Sequence, residues 1–223
     1  MPGALPAYQA ELLAEAKKAI ADGRWGIAAD PGVAQWLKEL EEENSLAQEY
    51  IASVIDSYYG YWGAFTEAPG GMWGIYIAKT RAEIGEKDPA GKNLLEKFLP
   101  PYLNYQARID AQFKGIFSMT FDANLPYTHK SQYLVHARLM GSNDNGLKGN
   151  DADNILGGNS GANTLDGAGG HDVVVYCGKR SAYTVSQSGF DITVTGPDGK
   201  DTLTGIEAIH FADGILKPGP SQP

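Results

Sequence analysis

Residues 145–175 read, in rows of nine, NGLKGNDAD (145–153), NILGGNSGA (154–162), NTLDGAGGH (163–171) and the opening DVVV (172–175) of a fourth row. A branched apolar residue returns at Leu147, Leu156, Leu165 and Val174. A small amide or carboxylate returns at Asn145, Asn154, Asn163 and Asp172, and glycine at Gly149, Gly158 and Gly167. Neither a helix nor a hairpin generates a period of nine. A parallel β-roll does, because each row is one short strand and one tight glycine-rich bend. The four apolar residues are then expected to stack as its core.

Each bend must reverse the chain within a few residues, so positive φ is expected at its glycines and asparagines. Such bends aim carbonyl and carboxylate oxygens at one point. A hard cation with six or more oxygen ligands suits that arrangement, and calcium (Ca2+) is the usual choice. The best candidate lies near Gly167, Gly169 and Asp172. Asn163, Asn154, Asp151, Asp153 and Asp166 are further candidate ligands in or beside the bends. Asparagine offers an oxygen without a charge, so one or two calcium sites are expected instead of a full ladder. The other reading is an asparagine-rich roll held by amide and backbone hydrogen bonds, without metal.

The rows resemble the RTX nonapeptide, Gly-Gly-x-Gly-x-Asp-x-hydrophobic-x, of hemolysin-type calcium-binding proteins. The match departs from that pattern at Asn145, Asn154 and Asn163, where the motif has Asp, and at Asn150, Asn159 and Ala168, where it has Gly. The stretch DTLTGIEAIHFADG (201–214) resembles the segment that closes many such proteins. The resemblance covers residues 139–216. It implies a secreted, extracellular protein exported by a type I secretion apparatus, whose roll folds when calcium binds outside the cell. The ending Lys217–Pro223 departs from the acidic-apolar terminus of some members.

Around the rows, the fold class reads as α+β. Residues 1–112 are expected to be a mainly helical domain, 113–138 a strand and connector, 139–176 the roll, 177–216 a β cap and 217–223 a flexible tail. The apolar spacing in Ala7–Ile20 predicts a first helix. Asp30-Pro31 predicts an N-cap and first turn. Ser45–Gln48 reads as a capping box opening a third helix through Tyr59. Met72–Ile84 is expected to be a fourth helix, and Asp88-Pro89 to cap a fifth. Phe117–Phe121 alternates like a strand. Ala182–Val185 and Asp191–Thr195 are short runs of β-formers separated by turn signals.

The net charge of −9 argues against binding nucleic acid. No apolar run is long enough to be a transmembrane segment. The opening Met1-Pro-Gly-Ala-Leu-Pro lacks the basic and apolar regions of a signal peptide, which fits type I export or a chain that begins inside a longer parent. The single cysteine, Cys177, rules out a disulfide within one chain and is expected to be a small buried residue.

No His-Glu-x-x-His, Gly-x-Ser-x-Gly or phosphate-binding glycine loop is present, and His129, His136, His171 and His210 show no ligand spacing. No catalytic residue is assigned. Glu49 lies on a stretch that faintly resembles the later zinc-ligand helix of secreted metallopeptidases, so the C-terminal fragment of a hydrolase is one alternative function. An adhesion module is another, with a surface or polysaccharide contact through the aromatic stretch Tyr58–Trp73. A core role for those aromatics is the simpler expectation.

Overall fold

The computed structural model describes residues 5–27, 31–122, 124–125 and 133–219. Asp30, His129 and the tail from Pro220 lie outside the described residues. The fold is α+β, with five helices and two six-stranded sheets of mostly parallel strands among the described residues. The chain divides into two compact units, Met1–Pro101 and Tyr102–Pro223.

The first unit holds α1 (Pro6–Ala21), α2 (Pro31–Glu42), α3 (Leu46–Tyr58), α4 (Arg81–Lys87) and α5 (Pro89–Glu96). Pro6 and Pro89 stand in the first turn, where a missing N–H costs nothing. Asp88 caps α5, its carboxylate accepting the Gly91 N–H at 3.3 Å. The expected capping box at Ser45 is absent: the Ser45 hydroxyl donates to the Leu40 carbonyl instead. The true box is Thr80–Glu83, at the start of α4. The helix expected over Met72–Ile84 is replaced by a short 3-10 turn, Met72–Gly74, and then α4. Met72, Trp73 and Gly74 all have positive φ (47°, 54° and 90°), which no right-handed helix can contain.

A buried polar knot ties this unit together. Asp88 is 0% exposed and accepts from Tyr50 Oη at 2.8 Å, Tyr76 Oη at 2.9 Å and the Arg24 guanidinium. Arg24 also pairs with Glu15 at 2.6 Å and Asp22 at 3.1 Å. Burial, reinforced by the Asp88 charge, pushes the Tyr50 and Tyr76 phenols far up, so both stay protonated donors.

The second unit opens earlier than expected. Strand β1 (Leu103–Ile109) falls inside the range read as helical. It is followed by β2 (Ile116–Ser118), β3 (Leu134–Leu139), β4 (Gly146–Lys148), β5 (Ile155–Gly157), β6 (Thr164–Asp166) and β7 (Val173–Val175). The last five are β8 (Thr184–Ser188), β9 (Asp191–Gly196), β10 (Gly199–Thr204), β11 (Ala208–Phe211) and β12 (Gly214–Leu216). One sheet runs β1-β3-β5-β7-β11-β12 and the other β2-β4-β6-β10-β9-β8. Successive strands from β1 to β7 therefore alternate between sheets, and each of β1 to β5 pairs in parallel with the strand two places on.

The register follows the sequence period. Leu147 pairs with Leu165, and Leu156 with Val174. These four side chains are fully or almost fully buried in one core with Ala137, Leu203 and Ile209. Full burial of such a side chain stabilises by about 1.5–3 kcal/mol. The stack is closed by β10 and β11, which pair in parallel with β6 and β7 and antiparallel with β9 and β12. Cys177 corrects an expectation: it is exposed, with its Sγ 3.3 Å from an Arg138 nitrogen. It follows β7 where the chain leaves the sheet, so no second layer covers it.

Candidate functional site

The bends between alternating strands fall into two stacks. One holds 149–154, 167–172 and 205–207; the other holds 140–145, 158–163 and the start of β10. Of the candidate ligands, Asp151, Asp153, Asn154, Gly167, Gly169 and Asp172 share the first stack, and Asp166 ends the strand that leads into it. Asn163 belongs to the second.

In the first two rows the asparagines close on each other. Asn154 Oδ1 accepts the Asn150 N–H at 2.8 Å, and its Nδ2 donates to Asn150 Oδ1 at 2.9 Å. Asn150 Oδ1 also accepts the Ala152 N–H. Asn163 and Asn159 repeat the same box at 2.8 and 3.0 Å, and Asn159 Oδ1 accepts the Gly161 N–H. These are buried amides with their oxygens engaged, which is how a buried polar group avoids its desolvation cost.

The third row cannot build that box. Ala168 stands where Asn150 and Asn159 stood, takes φ 68°, and donates its N–H to Asp166 Oδ1 at 3.0 Å. Asp172 replaces the amide. Its Oδ1 accepts the Asn154 N–H at 2.8 Å, but Oδ2 is buried with no hydrogen-bond partner. The residue is 1% exposed. Burial raises its carboxyl to about 7, opposed by the Asn154 N–H and reinforced by Glu207 and Asp153.

The backbone is pressed close here. A Cβ on Gly167 would collide with the Gly205 carbonyl and with Asp172 Oδ2. A Cβ on Gly149 would collide with Asn154 Oδ1 and the Gly167 carbonyl, and one on Gly158 would lie 2.5 Å from Asn163 Oδ1. These three glycines are not among the positive-φ residues, so the expectation that the bends need them for positive φ is corrected. Each is glycine because the amide or carboxylate oxygen five residues on occupies the place of its side chain.

The other candidates have defined neighbours. Asp153 Oδ1 accepts the His171 N–H at 2.8 Å, and Asp151 Oδ1 lies against Gly169. No group of three or more His, Cys, Asp or Glu side chains placed to hold a metal occurs among the described residues. A cation here would need backbone carbonyls for most of its ligands. The donor set at Gly167 fits that requirement in kind: one unpartnered buried carboxylate oxygen, with a backbone carbonyl crowding the same glycine.

Two further rungs were missed in the sequence. Asp201 aligns with Asn163, accepting its N–H at 2.9 Å, and Glu207 aligns with Asp172, accepting its N–H at 2.7 Å. The signal was present: Asp201-Thr-Leu203 repeats Asn163-Thr-Leu165. Asp201 is buried, raised to about 6 by that burial, and held by the Tyr176 hydroxyl at 2.8 Å. No family model, curated protein or solved structure matches the chain.

Proposed function

We propose that the second unit is an RTX-like β-roll that binds calcium after secretion and uses that binding to complete its folding. The observation that carries this reading is the buried, unpartnered Oδ2 of Asp172. Asp172, with carbonyls around Gly167 and Gly169, would hold the ion; Asp151, Asp153 and Asp166 would add negative charge nearby. Bound calcium supplies a positive charge that replaces the desolvation cost of the carboxylate. An ion that binds only the folded roll adds its binding energy to folding. At low free calcium the same carboxylate weakens the roll and leaves the chain easier to export unfolded.

The amide boxes favour one calcium site over a ladder. Asn154 and Asn163 already have their oxygens engaged by backbone donors. The test is a thermal melt followed by circular dichroism, first in chelator and then in calcium, beside calorimetric titration. One saturable site and a calcium-dependent rise in melting temperature are expected. A melt that ignores calcium would overturn the reading and leave an amide-held roll.

A further inference from the structure

The aromatic stretch between α3 and α4 divides in two. Tyr58 and Tyr59 are core, both buried, with Arg81 stacked 3.9 Å from the Tyr58 ring centroid. Trp73 is different: it is 66% exposed. It stands in a run of three positive-φ residues, two of them not glycine. Such backbone costs free energy and persists only where the surroundings impose it. Here they do. Gly71 accepts from the N–H groups of Gly74 and Tyr76, Ile75 donates to Met72, and Gly71 donates to Ala78. The Met72 sulfur receives the Ser53 hydroxyl at 2.7 Å.

The exposed ring rests on a rigid aromatic support. Trp62 meets Trp73 edge-on, centroids 5.1 Å apart, and Phe65 meets Trp62 at 5.6 Å. Lys79 gives its ammonium to the Phe65 and Ala68 carbonyls, so its charge is already spent inside the turn. Trp62 carries a second anomaly: its indole N–H is buried and finds no acceptor. The platform thus joins an exposed aromatic face to a buried indole N–H that lacks an acceptor.

We propose that this platform binds a neutral saccharide ring. The apolar face of a sugar stacks on an indole, and its hydroxyl oxygens accept from donors such as the Trp62 N–H. Carboxylates outnumber cations across residues 1–101, which disfavours anionic lipid surfaces, nucleic acid and acidic glycans. The platform holds one ring, not a broad apolar patch. Trp62 and Trp73 are in edge-on contact, so both indoles respond to the ligand. All of its residues belong to the first unit, and the proposal does not rest on calcium.

The test uses the full chain and four probes: cellohexaose, chitohexaose, xylohexaose and maltohexaose. Saturable quenching or shifting of tryptophan emission by at least one is expected, weakened about tenfold or more in Trp73→Ala. Trp73→Gly serves as the folding control, because it relieves the positive φ. It should melt at or above the wild-type temperature while losing the sugar. No response to any of the four saccharides overturns the proposal, as does full binding by Trp73→Ala. Binding to phosphatidylcholine vesicles without any saccharide binding overturns it in favour of a membrane contact.

Discussion

Asp172 and Asn154 stand eighteen residues apart and one above the other: the Asn154 N–H donates to Asp172 Oδ1 at 2.8 Å, while Asp172 Oδ2 faces no donor. One side of the carboxylate is built into the stack and the other is left over. In the two preceding rows the equivalent side chain is an amide with both ends engaged. The bend that Asp172 closes therefore carries the cost of a buried, half-satisfied group.

Replacing that group separates its two roles. Asp172→Asn keeps the shape and removes the charge. In chelator at about pH 8 it should stabilise the second unit by about 1–2 kcal/mol, since an uncharged amide is less costly to bury. In calcium it should lack the gain in melting temperature expected of the wild type. Paired melts of the two proteins, with and without calcium, check both halves.

Stability in chelator should also depend on pH in an unusual direction. Asp172 and Asp201 sit at about 7 and about 6 in the folded chain, above the ordinary carboxyl value of 3.8. The folded state then holds more protons than the unfolded state between those values. Their contribution is complete below the ordinary value and is lost as pH rises through the folded values. Melting temperature should climb as pH falls from about 8 to about 5, and Asp172→Asn should flatten that slope. Calcium, by holding the carboxylate ionised, should flatten it as well.

The close packing of the rows predicts opposite results for two glycine changes. Gly149→Ala drives a methyl into Asn154 Oδ1 and the Gly167 carbonyl, and should cost about 1–3 kcal/mol. Gly85 lies in α4 with open space beside it, so Gly85→Ala should stabilise by about 0.5–1 kcal/mol. Urea denaturation of each variant is the measurement.

In the helical unit, Asp88→Ala removes the acceptor of two tyrosines and the fully buried partner of Arg24. A loss of about 3 kcal/mol is expected, with Glu15 and Asp22 keeping Arg24 partly paired. Loss of helical ellipticity at lower denaturant should report it.

The stacked core was legible because Leu147, Leu156, Leu165 and Val174 repeat without a break, and the register follows that spacing. The Asp88 cap was legible for a similar reason, since a carboxylate before proline has one common use. Other features depend on partners far along the chain. Nothing local tells that Gly149 is a glycine because of the Asn154 oxygen, or that Asp201 and Glu207 continue the rungs. The apolar residues of Met72–Ile84 resemble a helix stripe, and only the pinned backbone at Gly71 reveals the turn. Strand β1 was hidden because its alternation, ending at Ala107 and Ile109, is short and follows directly on helical sequence.

The written period is nine residues, but the Asn154-to-Asp172 rung spans eighteen. Removing one row would deliver Asp172 to the side of the stack that holds Asn159, and every later strand to the opposite sheet. Changes of length in this segment are therefore quantised. Duplicating or deleting a block such as Asn154–His171 returns each residue to its own column, whereas an odd number of rows does not. The unit of inheritance here, and of any deliberate lengthening, is the pair of rows.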